Sequence, residues 1–331
     1  MGRGEDIVAQ DYPYAWHEGS DLSIQEFLTK YKPSMVQDDG SKPWIWVKGS
    51  SPSSVDKNTE AAVEEATALL KEVTEKVENI KNDDSIPTRS NKKTGAKSKK
   101  EVREQVQAEA TEKLKDISVR HGFISGKWLI FAQREKVDMI WSSLATSLIS
   151  GPLSTTSAFE AKVATCPKSE SANSQHTLCL YMPNVYDQDA ITEMMKILLK
   201  NHGMTLSGVK SNLYTAIGLD SKHASGIPST VWKNAALMKD AEMKELKDEY
   251  FANIGTEKAK NADKTNSKDD ATSSKQKKPV PKKKAREADP FASDDEEDKK
   301  QMLTKVNTGA KRPKESEGED EDDGRPMKKK S

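Results

Sequence analysis

The six tryptophans of this chain all lie before residue 233, whereas 45 of its 106 charged side chains fall in its last 91 residues. That last stretch offers only Tyr250, Phe251 and Phe291 as aromatics. Core-forming and water-seeking residues are therefore segregated along the chain, and this limits where a packed domain can form. Over all 331 residues the hydrophobic set is 34% and charged residues are 32%. Ordinary globular chains carry roughly 45–50% apolar residues, counting Gly, and about 25% charge. One domain using the whole length would need more core than that. A normal core diluted by long polar segments fits better, and a domain of about 180 residues has the usual size.

Several classes drop out at once. No run of 18 apolar residues exists, so no membrane span is expected. The first ten residues, MGRGEDIVAQ, hold no apolar stretch of the kind a secretory signal uses, and Asp6 stands where myristoylation wants Ser or Thr. Cys166 and Cys179 sit 13 apart without a CxxC partner, which reads as two reduced thiols rather than a disulfide or metal site. No repeat with a period of 20–50 residues is visible.

Along the chain, Ser23 to Glu26 has capping-box spacing and opens a short helix carrying Leu22, Phe27 and Leu28, ended at Lys32-Pro33. Trp44-Ile-Trp-Val47, between Pro43 and Gly49, reads as a strand. Helical spacing runs from Thr59 to about Ile80 through Val63, Ala66, Leu70, Val73 and Val77, and resumes from Glu101 to Ser118 through Val102, Val106, Ala110, Leu114 and Ile117. Residues 81–100 between them hold seven basic side chains with Pro87 and Gly95, and read as a basic disordered loop. Then follow a strand at Gly126–Phe131, a helix on Val137, Ile140, Trp141, Leu144 and Leu148, strands at Phe159–Thr165 and Thr177–Met182, a helix capped by Asp187, and a strand at Asn212–Leu219. A polar helix is expected near 237–252. The order, strands with too few helices for a fully wound parallel sheet, gives an α+β class. The domain reading is a core from 1–58 and 119–240, a helical insert at 59–118, and a charged, low-complexity, disordered tail at 241–331.

Motifs for catalysis are absent. Gly122 to Gly126-Lys127 resembles a phosphate-binding loop, but it is one residue short and Trp128 replaces the Ser or Thr that would hold magnesium. No GxSxG, HExxH or GxGxxG occurs, and His17, His121, His176, His202 and His223 are scattered without ligand spacing. No enzyme, cofactor or metal is expected. The candidate ligand-binding residues are aromatic and basic. Trp44 and Trp46 share one parity of a strand and so face one side, as core or as a stacking platform for a base. Lys127, Lys162, Lys168 and Lys210 flank strands, either as solvated surface or as an electrostatic track for phosphates.

The segments FLTKYKPSM (27–35), WIWVKG (44–49), GKWLIF (126–131), VDMIW (137–141), GPLSTTSAFEAKVATC (151–166), LCLYMPNVYD (178–187) and KSNLYTAIGL (210–219) occur in that order. Together they resemble the uncharacterised basophilic-leukaemia-expressed protein family, over about 160 residues in two blocks. That family is similar in fold to the cap-binding translation initiation factor of the 4E type. The resemblance implies a curved antiparallel sheet with helices on its convex face. It does not carry the cap site over. The factor holds a methylated guanine between two loop tryptophans beside a Glu. The matching stretches here, Gly49–Asn58 and Lys115–Ser125, contain neither Trp nor the Trp-Glu pair, and of the factor's phosphate-contacting basic residues only Lys168 has a counterpart.

The last segment carries its own signals. Lys277, Lys278, Lys282, Lys283, Lys284 and Arg286 surround two prolines as an extended basic run suited to a nuclear import receptor. Ser293 and Ser316 precede acidic runs of the kind an acid-directed kinase recognises. The chain is thus expected to be a non-enzymatic binding protein of nucleus and cytoplasm with a 4E-like core. One reading gives it RNA or a nucleotide as ligand. The other makes it a nuclear protein-interaction adaptor without a nucleic-acid ligand; the implied 4E-like architecture favours the first, and the zero net charge and the missing cap tryptophans favour the second.

Overall fold

A computed structural model describes residues 12–50, 56–91, 93–167 and 175–265, with side chains described as far as 254. A six-stranded open sheet runs in the order β1-β2-β4-β5-β3-β6. Its strands are β1 (Ala15–Trp16), β2 (Trp44–Lys48), β3 (Gly126–Gln133), β4 (Glu160–Ala164), β5 (Gln175–Met182) and β6 (Leu206–Ser211). All pairings are antiparallel except the short β1–β2 pair, which is parallel.

The helices are α1 (Ile24–Lys30), α2 (Thr59–Asn82), α3 (Lys99–His121), α4 (Arg134–Ser150), α5 (Gln188–Lys200), α6 (Asn212–Ala216), α7 (Asn234–Leu237) and α8 (Asp240–Thr265). Their starts follow local chemistry. Ser23 with Glu26 and Ser98 with Glu101 form reciprocal capping boxes, and the Asp187 side chain accepts from the Ala190 N–H. The 81–100 stretch carries turn structure: the Asp83 carboxylate accepts from the Ser85 N–H, Asn91 bridges to Ala96, and the Lys99 N–H donates to Pro87.

Strand alternation divides the sheet cleanly. Ile45, Val47, Ala161, Val163, Leu178, Leu180, Trp128, Ile130 and Val209 point to one face and bury against Phe27 and Leu28 of α1, Val137, Trp141, Leu144 and Leu148 of α4, and Ile191, Met194, Met195 and Leu198 of α5. A second cluster joins α2 and α3 to α6 through Leu70, Val73, Leu114, Ile117, Leu213 and Tyr214. A third belongs to the opposite sheet face: Trp46, Leu129, Phe159, Cys179 and Tyr181, with Tyr12, Ala15, Trp44 and Phe131 beside them.

Two expectations are corrected. Residues 212–219 do not form a strand. The sixth strand precedes them, and Asn212–Ala216 is a helical turn capped by the Ser211 hydroxyl, which accepts from the Leu213 N–H. The strand was hidden by Gly208, which sits beside a bulge at φ +143°. A Cβ there would lie 2.8 Å from the Trp232 carbonyl, so glycine is required by close backbone approach and breaks the apolar alternation. The polar helix expected near 237–252 also runs further than expected, since α8 occupies 240–265. Met243 and Leu246 of α8 pack on the core cluster, and Lys200 of α5 meets Glu249 at 3.1 Å.

Candidate functional site

The sheet face opposite α1, α4 and α5 holds most of the residues singled out above. Register places Trp46, Lys162, Cys179 and Leu129 in one row across β2, β4, β5 and β3. The neighbouring row on the same face reads Lys48, Glu160, Tyr181, Lys127 and Lys210, ending on β6. Trp44 lies two residues before Trp46 on that side. None of the apolar side chains clustered on this face comes from a helix, among the described residues.

Lys162 is the centre of the arrangement. It is fully buried, and its ammonium sits 4.2 Å from the Trp44 ring centroid, 4.6 Å from that of Trp46 and 5.6 Å from that of Tyr181. The electron-rich ring faces supply part of the stabilisation that water would otherwise give the charge. Trp46 and Tyr181 lie nearly parallel, with centroids 6.0 Å apart. The Lys127 ammonium lies 5.2 Å from the Tyr181 centroid and 3.5 Å from its hydroxyl. Lys127 is buried and Lys210, directly across from it on β6, is half-buried. Like charges directly opposite one another in a sheet repel unless other groups offset them.

The face is bordered by the chain that enters the sheet. The Tyr12 hydroxyl donates to the Trp44 carbonyl at 2.7 Å, and burial pushes its pKa up to about 12 although that hydrogen bond acts in the opposite direction. Trp44 stays half-buried, while Trp46 is 4% exposed.

The six proposed ligand residues therefore divide. Trp44, Trp46, Lys127, Lys162 and Lys210 lie on one sheet face. Lys168 lies outside the described residues, as do Lys277, Lys278, Lys282, Lys283, Lys284, Arg286, Ser293 and Ser316. Tyr181, Lys48 and Glu160 join the face without having been anticipated. The run LCLYM is apolar on both parities, so nothing local tells which of its residues share a face with Trp46; the pairing register decides it.

Other candidates dissolve into structure. The phosphate-loop lookalike runs from helix to strand, the reverse of the order such a loop needs. Gly122 is the left-handed cap of α3, and Gly126 opens β3 against the β6 backbone. Lys115 to His121 are the last turns of α3, three residues beyond the expected end at Ser118. The histidines sit apart: His121 meets Glu65 at 2.8 Å, His176 donates from Nδ1 to the Ala164 carbonyl, and His202 bridges the Ser143 and Ser147 hydroxyls at 2.8 and 2.9 Å. Cys166 and Cys179 are buried and form no disulfide, and the Cys166 thiol donates to the Pro33 and Ser34 carbonyls. Among the described residues no helix is long and apolar enough to cross a membrane.

A family model described as basophilic leukemia-expressed protein Bles03 matches residues 9–214. The chain belongs to that family. The Bles03 match begins just ahead of β1 and ends in α6, so it takes in all six strands, the α2–α3 pair and the whole aromatic–lysine face. In this Bles03 protein, α7 and α8 lie beyond the matched region.

Proposed function

We propose that this is a non-enzymatic binding protein whose aromatic–lysine sheet face takes a phosphate-bearing ligand, single-stranded RNA or a nucleotide. The observation that carries the reading is the row Lys48, Glu160, Tyr181, Lys127, Lys210 set beside Trp44 and Trp46, with no helix among the described residues contributing to the cluster on that side. Aromatic rings next to ammonium groups are what a stacked base followed by a phosphate requires. The succession of strands and helices also suits a relationship to the 4E-type initiation factor, although binding here is not cap reading. Lys162 occupies the space in front of Trp44 and Trp46, so a base meets at most the exposed part of Trp44 from one side. Binding is therefore weak, single-sided and dominated by lysine–phosphate attraction.

The same filled cage supports the second reading, a protein-interaction adaptor without a nucleic-acid ligand. A face whose aromatic residues are already engaged by an internal ammonium offers little to a base. In either case the basic run 277–286 acts as a nuclear import sequence, phosphorylation at Ser293 and Ser316 adds charge beside it, and the protein moves between nucleus and cytoplasm. Filter binding of single-stranded RNA by the full chain at two salt concentrations separates the two ligand readings. The first requires affinity that falls steeply with salt, because released counterions drive it. The second requires no measurable retention at either.

A further inference from the structure

Between Ser85 and Lys100 the chain carries six basic residues and no acidic one. This turn joins α2 to α3 and has defined structure. The Asn91 N–H donates to the Ala96 carbonyl at 2.9 Å, the Asn91 side chain accepts from the Lys93 N–H at 3.0 Å, and the Lys99 N–H donates to the Pro87 carbonyl at 2.9 Å. Ser98 then caps α3 together with Glu101. These bonds close within the hairpin. Its ties to the rest of the chain lie further along: Gln107 donates to the Ser225 carbonyl at 2.9 Å, and Leu114 and Ile117 cluster with Leu213, Tyr214 and Ile227. Gln107 is nine residues, or about 14 Å of helix, from Ser98. The turn thus sits at the far end of a helical arm, and every described residue from Pro87 to Lys97 except Ala96 is exposed.

The cations of the turn differ in what they meet. Lys99 lies 3.8 Å from Asp84 and Lys100 3.8 Å from Glu104, so both are partly answered inside the hairpin. Lys97 donates to the neutral Gln105 amide at 2.7 Å and helps keep the Glu101 carboxylate ionised. Arg89 and Lys93 pair with no carboxylate among the described residues. Arg89, Lys93 and Lys97 therefore present their charge to solvent from a backbone that is already folded.

The chemistry around these three cations narrows the partner. From Pro87 to Lys97 the described residues expose no aromatic and no aliphatic side chain besides Pro87. A protein partner anchors on a desolvated, largely apolar centre. A membrane surface holds a basic segment durably only with an apolar face or a lipid chain beside it. A phosphate backbone needs neither, since it is held by ammonium, guanidinium, hydroxyl and N–H donors. With no aromatic ring on the turn, the bases of a single strand have nothing to stack on. A double helix instead offers a fixed array of phosphates, with one negative charge per ~1.7 Å of axis in DNA.

We propose that the α2–α3 turn is a contact for the phosphate backbone of a nucleic-acid double helix, blind to base sequence. Arg89, Lys93 and Lys97 each meet a phosphate, and the exposed Thr88 and Thr94 hydroxyls donate beside them. The assignment does not depend on the ligand proposed for the sheet face, which is read with a single strand.

The test compares the full chain with R89Q/K93Q/K97Q and with the charge-keeping R89K/K93R/K97R, using a DNA duplex and an RNA duplex of equal length over a series of salt concentrations. The three positions are exposed, so far-ultraviolet circular dichroism and melting temperature should agree among the chains. Loss of three phosphate contacts should weaken duplex binding about tenfold or more at low salt, and should make the slope of log affinity against log salt shallower by about 2–3 for the DNA duplex. The charge-keeping variant should bind like the wild type. Stronger binding of one duplex upholds the contact and names its source as RNA or DNA, and equal binding upholds it as a contact to either backbone. Affinity and slope unchanged in R89Q/K93Q/K97Q overturn the proposal, as does an equal loss in the charge-keeping variant. Displacement of the duplexes by polyglutamate at the same concentration of charge also overturns it, because the turn would then serve an acidic protein segment.

Discussion

Substituting Gly126 with Ala should destabilise the protein strongly, for a reason specific to its place in the sheet. A Cβ at this position would lie 2.2 Å from a Val185 methyl, 2.4 Å from the Lys210 carbonyl oxygen and 3.1 Å from the Ser211 Cα. Val185 is fully buried and has no space to turn into, and the other two atoms are β6 backbone. Strand β6 must therefore move away from β3 at the end where Gly126 pairs with Ser211 and Lys127 with Lys210. Overpacking in a tight core costs about 1–3 kcal/mol. Each ladder hydrogen bond lost adds about 1 kcal/mol. A total near 3 kcal/mol corresponds to a fall in melting temperature of roughly 6–12 °C for a domain of this size. Circular dichroism melts of the full chain and of G126A measure it. A melting temperature that does not change, joined to loss of nucleotide binding, would refute the packing account and restore Gly122–Lys127 as a phosphate loop.

Three further outcomes follow from particular groups. Burial holds His202 below the ordinary imidazole range, so the neutral ring between Ser143 and Ser147 contributes stability that is present above about pH 6.5 and lost as pH falls towards its folded value. The urea midpoint of the wild type should thus drop more between about pH 7 and pH 5.5 than that of H202N, and parallel pH dependences would count against this assignment. A cap analogue and GTP should quench tryptophan fluorescence equally weakly, because losing two stacks of about 2 kcal/mol each weakens binding about a thousandfold; tight quenching by the cap analogue alone would show a cap-reading site. Replacing Lys282, Lys283 and Lys284 with Ala should shift a fluorescent fusion towards the cytoplasm, and an unchanged nuclear signal with Lys311 and Arg312 also replaced would end the import reading.

How much was legible depended on range. Capping boxes and helical spacing are local, so α1, α2, α3 and α5 could be placed from Ser23, Leu70, Leu114 and Asp187 alone. Trp44 and Trp46 share a face by parity, and that too is a property of one strand. What was not legible is set across strands. Lys162 meets both tryptophans only because β4 pairs with β2 in a register that puts it opposite Trp46. Tyr181 joins them because the equally apolar β5 happens to present that parity. Strand β6 escaped because Gly208 answers to the Trp232 backbone rather than to strand propensity. In α8 the spacing is mostly polar, and its packing comes from a few residues such as Met243 and Leu246, whose partners lie far away in sequence.

The claim that this sheet face binds phosphate is tested most directly by one comparison, the affinity of the wild type and of K127Q/K210Q for the same single-stranded RNA at low and at physiological salt. Both chains should show the same far-ultraviolet circular dichroism. The wild type should bind at low salt, weaken as salt rises, and exceed the variant by about tenfold or more, or about 1.4 kcal/mol, at low salt. Equal affinities, or RNA binding that ignores salt, would contradict the account.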